Sequence, residues 1–199
     1  MKKERVGIFG GTFNPPHNGH VSAAERFAEQ MQLDRLIIIP SFIPPHKEYN
    51  STVSCEERLQ MCRLAFCDIP IVEISDIEIV RGGKSYTYLT LEELYRDDRE
   101  LLFLCGTDMI LSMDSWRNPE KIFALATICY IRREQEPEND SLIIKKCNGY
   151  RETYGARIVA IDAEAIDISS TQIRRQEDNR CEHVPAKVFA YIKDKGLYR

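Results

Sequence analysis

Val6-Gly7-Ile8-Phe9-Gly10-Gly11-Thr12-Phe13-Asn14-Pro15-Pro16-His17-Asn18-Gly19-His20 is the stretch from which the rest of the chain is read. Its first four residues form a short apolar run, the pattern of a buried first strand. Gly10 and Gly11 are expected to let the backbone turn sharply and approach a ligand closely. Pro15 and Pro16 stiffen the exit from that turn, and a helical pattern starts near His20. Strand, glycine turn and helix N-terminus together make an anion site, because unpaired N–H groups and the helix dipole point into the gap. His17 and His20 stand three residues apart and so share a helix face. They can donate N–H bonds to phosphate oxygens beyond the reach of the backbone. The plainer reading is a pair of surface histidines capping a helix beside a proline turn. The segment is not the G-x-G-x-x-G fingerprint, and no G-x-x-x-x-G-K-[ST] loop occurs in the chain.

Working outward, apolar runs recur at 36–39, 101–104, 127–131 and 157–161. They are apolar on both faces, as strands of a parallel sheet covered by helices are. Helical patterns lie between them, at 21–30, 55–67, 88–96, 119–125 and 142–154. This alternation predicts an α/β fold, a doubly wound and mostly parallel sheet with helices on both faces. Ligands in such sheets bind at the carboxyl ends of the strands, where the opening stretch ends. The polar stretch 132–141 reads as a solvated loop. The expected organisation is a single domain over 1–199, with a small helical part from about 169.

The chain has 199 residues, 43% hydrophobic and 29% charged, with a formal net charge of −4. That balance argues against a general nucleic-acid or membrane-surface binder. The apolar runs are far shorter than the ~20 residues of a membrane-spanning helix. Residues 1–5 lead straight into the first strand, which points to a cytoplasmic protein without a signal peptide. The seven cysteines form no C-x-x-C pair. Cys105 and Cys129 fall in strand-like runs as small core residues, and no zinc-finger spacing occurs.

Two further segments carry chemistry-bearing residues. Ser41-Phe42-Ile43-Pro44-Pro45-His46-Lys47 reads as a proline-rich loop at the end of the second strand, bringing His46 and Lys47 near the opening stretch. Ile168-Ser169-Ser170-Thr171-Gln172-Ile173-Arg174-Arg175 reads as an apolar strand end, a run of helix-capping hydroxyls and a helical turn. Arg174, one turn on, can grip a phosphate with two donors. An ordinary capped helix with solvated arginines explains the same residues.

Together these strings resemble the nucleotidyltransferase superfamily. Gly11 to His20 is similar to its G-x-F-x-P-x-H-x-G-H signature, and Ile168 to Arg174 to its I-S-S-T-x-I-R signature. Within it the chain resembles the nicotinate mononucleotide adenylyltransferases. Pro44-Pro45-His46-Lys47, Arg58, Ser85-Tyr86-Thr87 with Thr90-Leu91, Gly106-Thr107-Asp108, Trp116 and the segment from Val184 to Tyr198 all have counterparts there. The resemblance covers nearly the whole chain. Asn14 stands where the family commonly has aspartate. Arg132-Arg133-Glu134 stands where it usually has arginine, proline and glycine.

The resemblance implies transfer of AMP from ATP to nicotinate mononucleotide, in NAD biosynthesis, with pyrophosphate released. It implies catalytic roles for His17, His20 and Arg174. ATP would meet Gly10, Gly11, Thr12, Phe13, His17, Gly19, His20, Gly106, Asp108, Ser169, Ser170, Thr171 and Arg174. The mononucleotide would meet Thr12, Phe13, His46, Lys47, Ser85, Tyr86, Thr87, Trp116 and Arg132, with Arg133 as the alternative to Arg132. Trp116 would stack the pyridine ring, although a core aromatic explains a lone tryptophan equally well. Mg²⁺ would ride on the ATP phosphates with no dedicated protein ligands. Neither nucleic acid nor membrane is an expected partner, and a homo-oligomer stays open. A phosphopantetheine-type acceptor and a non-catalytic nucleotide sensor are the rival readings.

Overall fold

A computed structural model of the chain describes residues 2–45, 53–132, 137–163, 168–175 and 180–198. In chain order its elements are β1 (Glu4–Gly11), α1 (Asn18–Gln30), β2 (Arg35–Pro40), α2 (Cys55–Ala65), β3 (Val72–Ile74), α3 (Ile77–Arg81), α4 (Thr87–Leu94), β4 (Arg99–Cys105) and α5 (Thr107–Ser112). Then come α6 (Pro119–Leu125), β5 (Ala126–Arg132), α7 (Pro137–Tyr154), β6 (Ile158–Asp162), α8 (Ser170–Arg175), α9 (Arg180–His183) and α10 (Ala186–Lys195). The described strands form one six-stranded sheet in the order β3-β2-β1-β4-β5-β6, and every pair is parallel. The strand order reverses between β1 and β4, which opens a crevice at their carboxyl ends.

Alternation along the strands divides the core in two. Leu36, Ile38, Leu102 and Leu104 face one side and pack with Phe27 of α1, Met61 of α2, Ile173 of α8 and Val188 and Ile192 of α10. Ile37, Ile39, Leu101 and Phe103 face the other and pack with Leu91 of α4, Ile110 of α5, Ile122 and Phe123 of α6 and Tyr150 of α7. Each such buried aliphatic or aromatic side chain contributes about 1.5–3 kcal/mol. Gly7 sets how closely α1 approaches. A Cβ there would stand 2.3 Å from Leu33 and 2.9 Å from Phe27.

The expected α/β architecture is present, with local differences. The predicted glycine turn is not at Gly10 or Gly11. Both belong to β1, and the chain reverses at Phe13, which holds a left-handed φ of 47°. Gly11 matters through space instead, since a Cβ on it would touch the Phe13 ring at 3.0–3.2 Å. α1 begins at Asn18, two residues ahead of the expected start, because the backbone N–H of the preceding residue, His17, already finds an acceptor in His20. α2 opens on a reciprocal Ser54–Glu57 capping box and closes at Ala65, so Cys67 lies beyond it. The edge strand β3 lacks an apolar run; Glu73 at its centre is held by Arg35 at 2.6 and 2.9 Å. Residues 137–141 open α7 rather than forming a loop, with Pro137 at the first position, where its fixed φ suits a helix. Ile168 is not a strand end: β6 stops at Asp162, and Ile168 packs against the core.

Candidate active site

The crevice has two parts. At its outer edge the two hydroxyl- and histidine-bearing segments meet. Ser170 Oγ donates to the Pro15 carbonyl at 2.8 Å, and Arg174 donates to the Asn14 carbonyl at 2.6 Å and to Thr171 Oγ1 at 3.0 Å. Contacts spanning about 155–160 residues of sequence thus join the first signature to the second. Ser169 caps α8 by exchanging bonds with Gln172, at 2.7 Å and 3.2 Å. Its hydroxyl is therefore engaged within its own turn. Asn14 is buried, and its Oδ1 accepts from Tyr198 at 2.6 Å. The position needs an acceptor for the C-terminal tyrosine, and a neutral amide supplies it.

His17 and His20 share a helix face as expected, with ring centroids 3.6 Å apart. The His17 backbone N–H donates to His20 Nδ1 at 3.2 Å. That leaves His20 with its proton on Nε2, as a donor. His17 is 7% exposed, and its Nδ1 is buried without a hydrogen-bond partner. Burial, aided by the charge of His183, pushes its pKa down to about 4. His17 is therefore neutral at pH 7. Its proton belongs on Nε2, since a bare acceptor is tolerated better in a dry site than an orphaned N–H. The two imidazoles thus stand side by side, each with Nε2 as its donor nitrogen.

Behind this edge lies a cavity of about 240 Å³ between β1, β2, α3, α4, α5 and α6. Gly10, Gly11, Thr12, Ser85, Tyr86, Thr87, Asp108 and Trp116 all line it. α4 starts at Thr87 with no side chain capping Tyr86, so its first N–H groups are available to a ligand. Ser85 Oγ accepts from the Phe42 N–H at 2.9 Å and keeps its own proton to donate. Gly106 leaves room for Asp108, whose Oδ1 would stand 2.7 Å from a Cβ at that position. Trp116 is half-buried, edge-on to Phe103 at 6.4 Å. Its burial is intermediate, between that of a core aromatic and that of an open stacking surface.

Gly19 lies in the first turn of α1. The Phe13 ring is 1% exposed and packs edge-on against Phe9, Phe66 and His20, so any ligand contact there falls to its backbone. His46, Lys47 and Arg133 lie outside the described residues, as does the Arg132 side chain. Among the described residues no group of three or more His, Cys, Asp or Glu side chains could hold a metal ion. The outer edge carries N–H and O–H donors, a set that suits phosphate oxygens and leaves a cation to be ligated by those oxygens. No helix of the described residues is long and apolar enough to cross a membrane.

Residues 8–176 match the cytidylyltransferase-like family. A Clostridium acetobutylicum protein named "Probable nicotinate-nucleotide adenylyltransferase" is 38% identical, covering 100% of both chains. A Lactiplantibacillus plantarum protein of the same name is 37% identical over 98% of this chain and 88% of its own. The chain belongs to the nicotinate-nucleotide adenylyltransferase family. Its fold is also that of the Plasmodium falciparum nicotinic acid mononucleotide adenylyltransferase solved in complex with NaAD. That match has a TM-score of 0.77 at 18% identity, over 98% of this chain and 97% of the other.

Several residues of this nicotinate-nucleotide adenylyltransferase-family chain gain a place that sequence alone did not give them. Arg58 is fully buried and donates to the Thr12 carbonyl at 2.8 Å, fixing the loop after β1. Its only sequence signal was the family resemblance. Glu78 lines the cavity and accepts from Thr90 at 2.6 Å, while Arg81 holds Thr90 at 2.8 Å. No spacing pattern announces that trio. The buried Cys105 and Cys129 are core residues as expected, with burial pushing the Cys129 thiol up to about 12. They are unreactive at neutral pH.

Proposed function

We propose that this site transfers AMP from ATP to nicotinate mononucleotide, yielding nicotinate adenine dinucleotide and pyrophosphate. The observation that carries this is the pairing of a donor-rich edge with an aromatic-walled cavity at the strand-order reversal. The family names of the relatives support the same reaction. No protein nucleophile is required, since the 5′-phosphate of the acceptor is already anionic. An oxygen of that phosphate forms a bond to the α-phosphorus of ATP while the bond to pyrophosphate breaks. Catalysis then consists of aligning two polyanions and stabilising charge at the α-phosphate.

In this reading the Nε2–H groups of His17 and His20 donate to the ATP phosphates. Arg174, with Ser170 and Thr171, holds the outer phosphates and the leaving pyrophosphate. Asp108 and Gly106 meet the ATP ribose, and Gly10, Gly11 and Thr12 let the nucleotides approach the backbone. Trp116 stacks the pyridine ring, and the N–H and O–H groups from Ser85 to Thr87 bind its carboxylate. Mg²⁺, carried on phosphate oxygens, supplies charge neutralisation when bound. His46, Lys47 and Arg132 remain proposed acceptor contacts. We place the reaction in the cytoplasm, where ATP is at hand.

The test is pyrophosphate release with ATP and a panel of phosphorylated acceptors. Nicotinate mononucleotide is expected to be the best of the panel, with the dinucleotide formed in equal amount to pyrophosphate. Preference for phosphopantetheine, or nucleotide binding without turnover on any acceptor, overturns the reading.

A further inference from the structure

We propose that Arg117 is a specificity-determining residue, its guanidinium reading the ring carboxylate of the acceptor across the mouth of the cavity. This rests on the transfer reaction proposed above and names a contact that neither the sequence patterns nor the family resemblance assigned. Arg117 lines the cavity and is exposed. The other charged residues among the described lining are Glu78 and Asp108, both acidic. An anionic acceptor entering a partly dry space beside two carboxylates meets repulsion that a facing cation offsets.

Glu78, Asp114 and Glu92 already have partners of their own. Glu78 is bound by Thr90 at 2.6 Å and lies 3.8 Å from Arg81. Asp114 is taken by Lys146 at 2.8 Å and Tyr150 at 3.1 Å, and Glu92 by Lys121 at 2.6 Å. Arg117 has neither a hydrogen bond nor an ion pair with any described residue. An arginine that lines the cavity with its planar two-donor fork unpaired matches a carboxylate.

The position selects the ring carboxylate over the 5′-phosphate. Arg117 follows Trp116 directly in the chain, and both line the cavity. The reacting phosphate must instead lie toward the outer edge, with His17, His20 and the loop tied to Arg174. A ring stacked on Trp116 would bring its substituent within reach of the next side chain.

The experiment compares kcat and KM of the full chain and its Arg117→Gln and Arg117→Lys variants on nicotinate and nicotinamide mononucleotides. These acceptors share the 5′-phosphate and differ only in carboxylate against amide. Arg117→Gln is expected to lower kcat/KM for the nicotinate form roughly 10-fold, mainly through KM, with little change for the nicotinamide form. Arg117→Lys should recover part of the loss. An equal loss on both acceptors would assign Arg117 to the phosphate, and no loss on either would leave it solvated; both overturn the inference. A thermal melt of each variant shows that the fold is retained. Absence of turnover on nicotinate mononucleotide by the unmutated protein would overturn the transfer reading itself, and this inference with it.

Discussion

The outer edge and the inner cavity of the crevice are built on opposite terms. At the edge, polar groups are bound to one another before any ligand arrives: Ser170 to Pro15, Arg174 to Asn14, Tyr198 to Asn14, His17 to His20. In the cavity, the first N–H groups of α4 and the Ser85 proton are left for a ligand. The difference separates two kinds of work. Donors fixed in advance need no reorganisation when charge develops, which is where electrostatic catalysis gains most. Groups left unpaired discriminate, because a ligand that fails to satisfy them leaves a buried donor stranded.

The largest effect should come from removing an edge donor. His17→Ala or His20→Ala is expected to lower kcat by roughly 10²–10³, the scale of losing one preorganised donor. Steady-state kinetics with a thermal melt checks this, and near-normal kcat in either variant would remove the distinction between the two regions.

Next in size is a pH effect on the ligand-free protein. The folded pKa of His17 is about 4, below the ordinary 6.5, so the unfolded chain takes up a proton first as pH falls. The neutral form therefore supports the fold fully above pH 6.5 and progressively less down to pH 4. This linkage amounts to about 3 kcal/mol between those limits. Urea melts across that window should show a steeper loss of stability in the unmutated protein than in His17→Asn. Parallel curves would mean that the imidazole is not buried as described.

Arg58→Met comes third. It strands the Thr12 carbonyl and should cost about 2 kcal/mol, seen as a fall in Tm of roughly 4–8 °C. An unchanged Tm would show that the loop after β1 holds without it. The smallest effect is Arg174→Lys, which keeps the charge but cannot reach both the Asn14 carbonyl and Thr171 as the fork does. A loss of about 10-fold in kcat/KM for ATP is expected. An unaffected enzyme would place Arg174 outside the phosphate grip.

The sheet was legible because β1, β2, β4 and β5 are apolar on both faces, a pattern that helices on both sides impose. β3 was not, since an edge strand held by a Glu73–Arg35 pair carries no apolar run. The joining of the Asn14 loop to Arg174 was foreshadowed by the family resemblance, which put both strings at one ATP site. The bonds that join them cross 160 residues, and no local pattern records such a distance. Asn14 itself is explained by Tyr198, a partner visible only after folding. The turn after β1 was misplaced onto the glycines because glycine is the usual residue for positive φ. Phe13 takes that conformation here, with its ring locked among Phe9, Phe66 and His20.

The most direct measurement of the division between edge and cavity is the ratio of kcat/KM on nicotinate against nicotinamide mononucleotide. It is to be taken for the unmutated chain, His20→Ala and Thr87→Ala. The unmutated chain should prefer nicotinate by at least ~10-fold. His20→Ala should slow both acceptors by the same factor and leave the ratio unchanged, while Thr87→Ala should narrow it. A ratio near one in the unmutated chain, or a ratio moved by His20→Ala, would contradict that division.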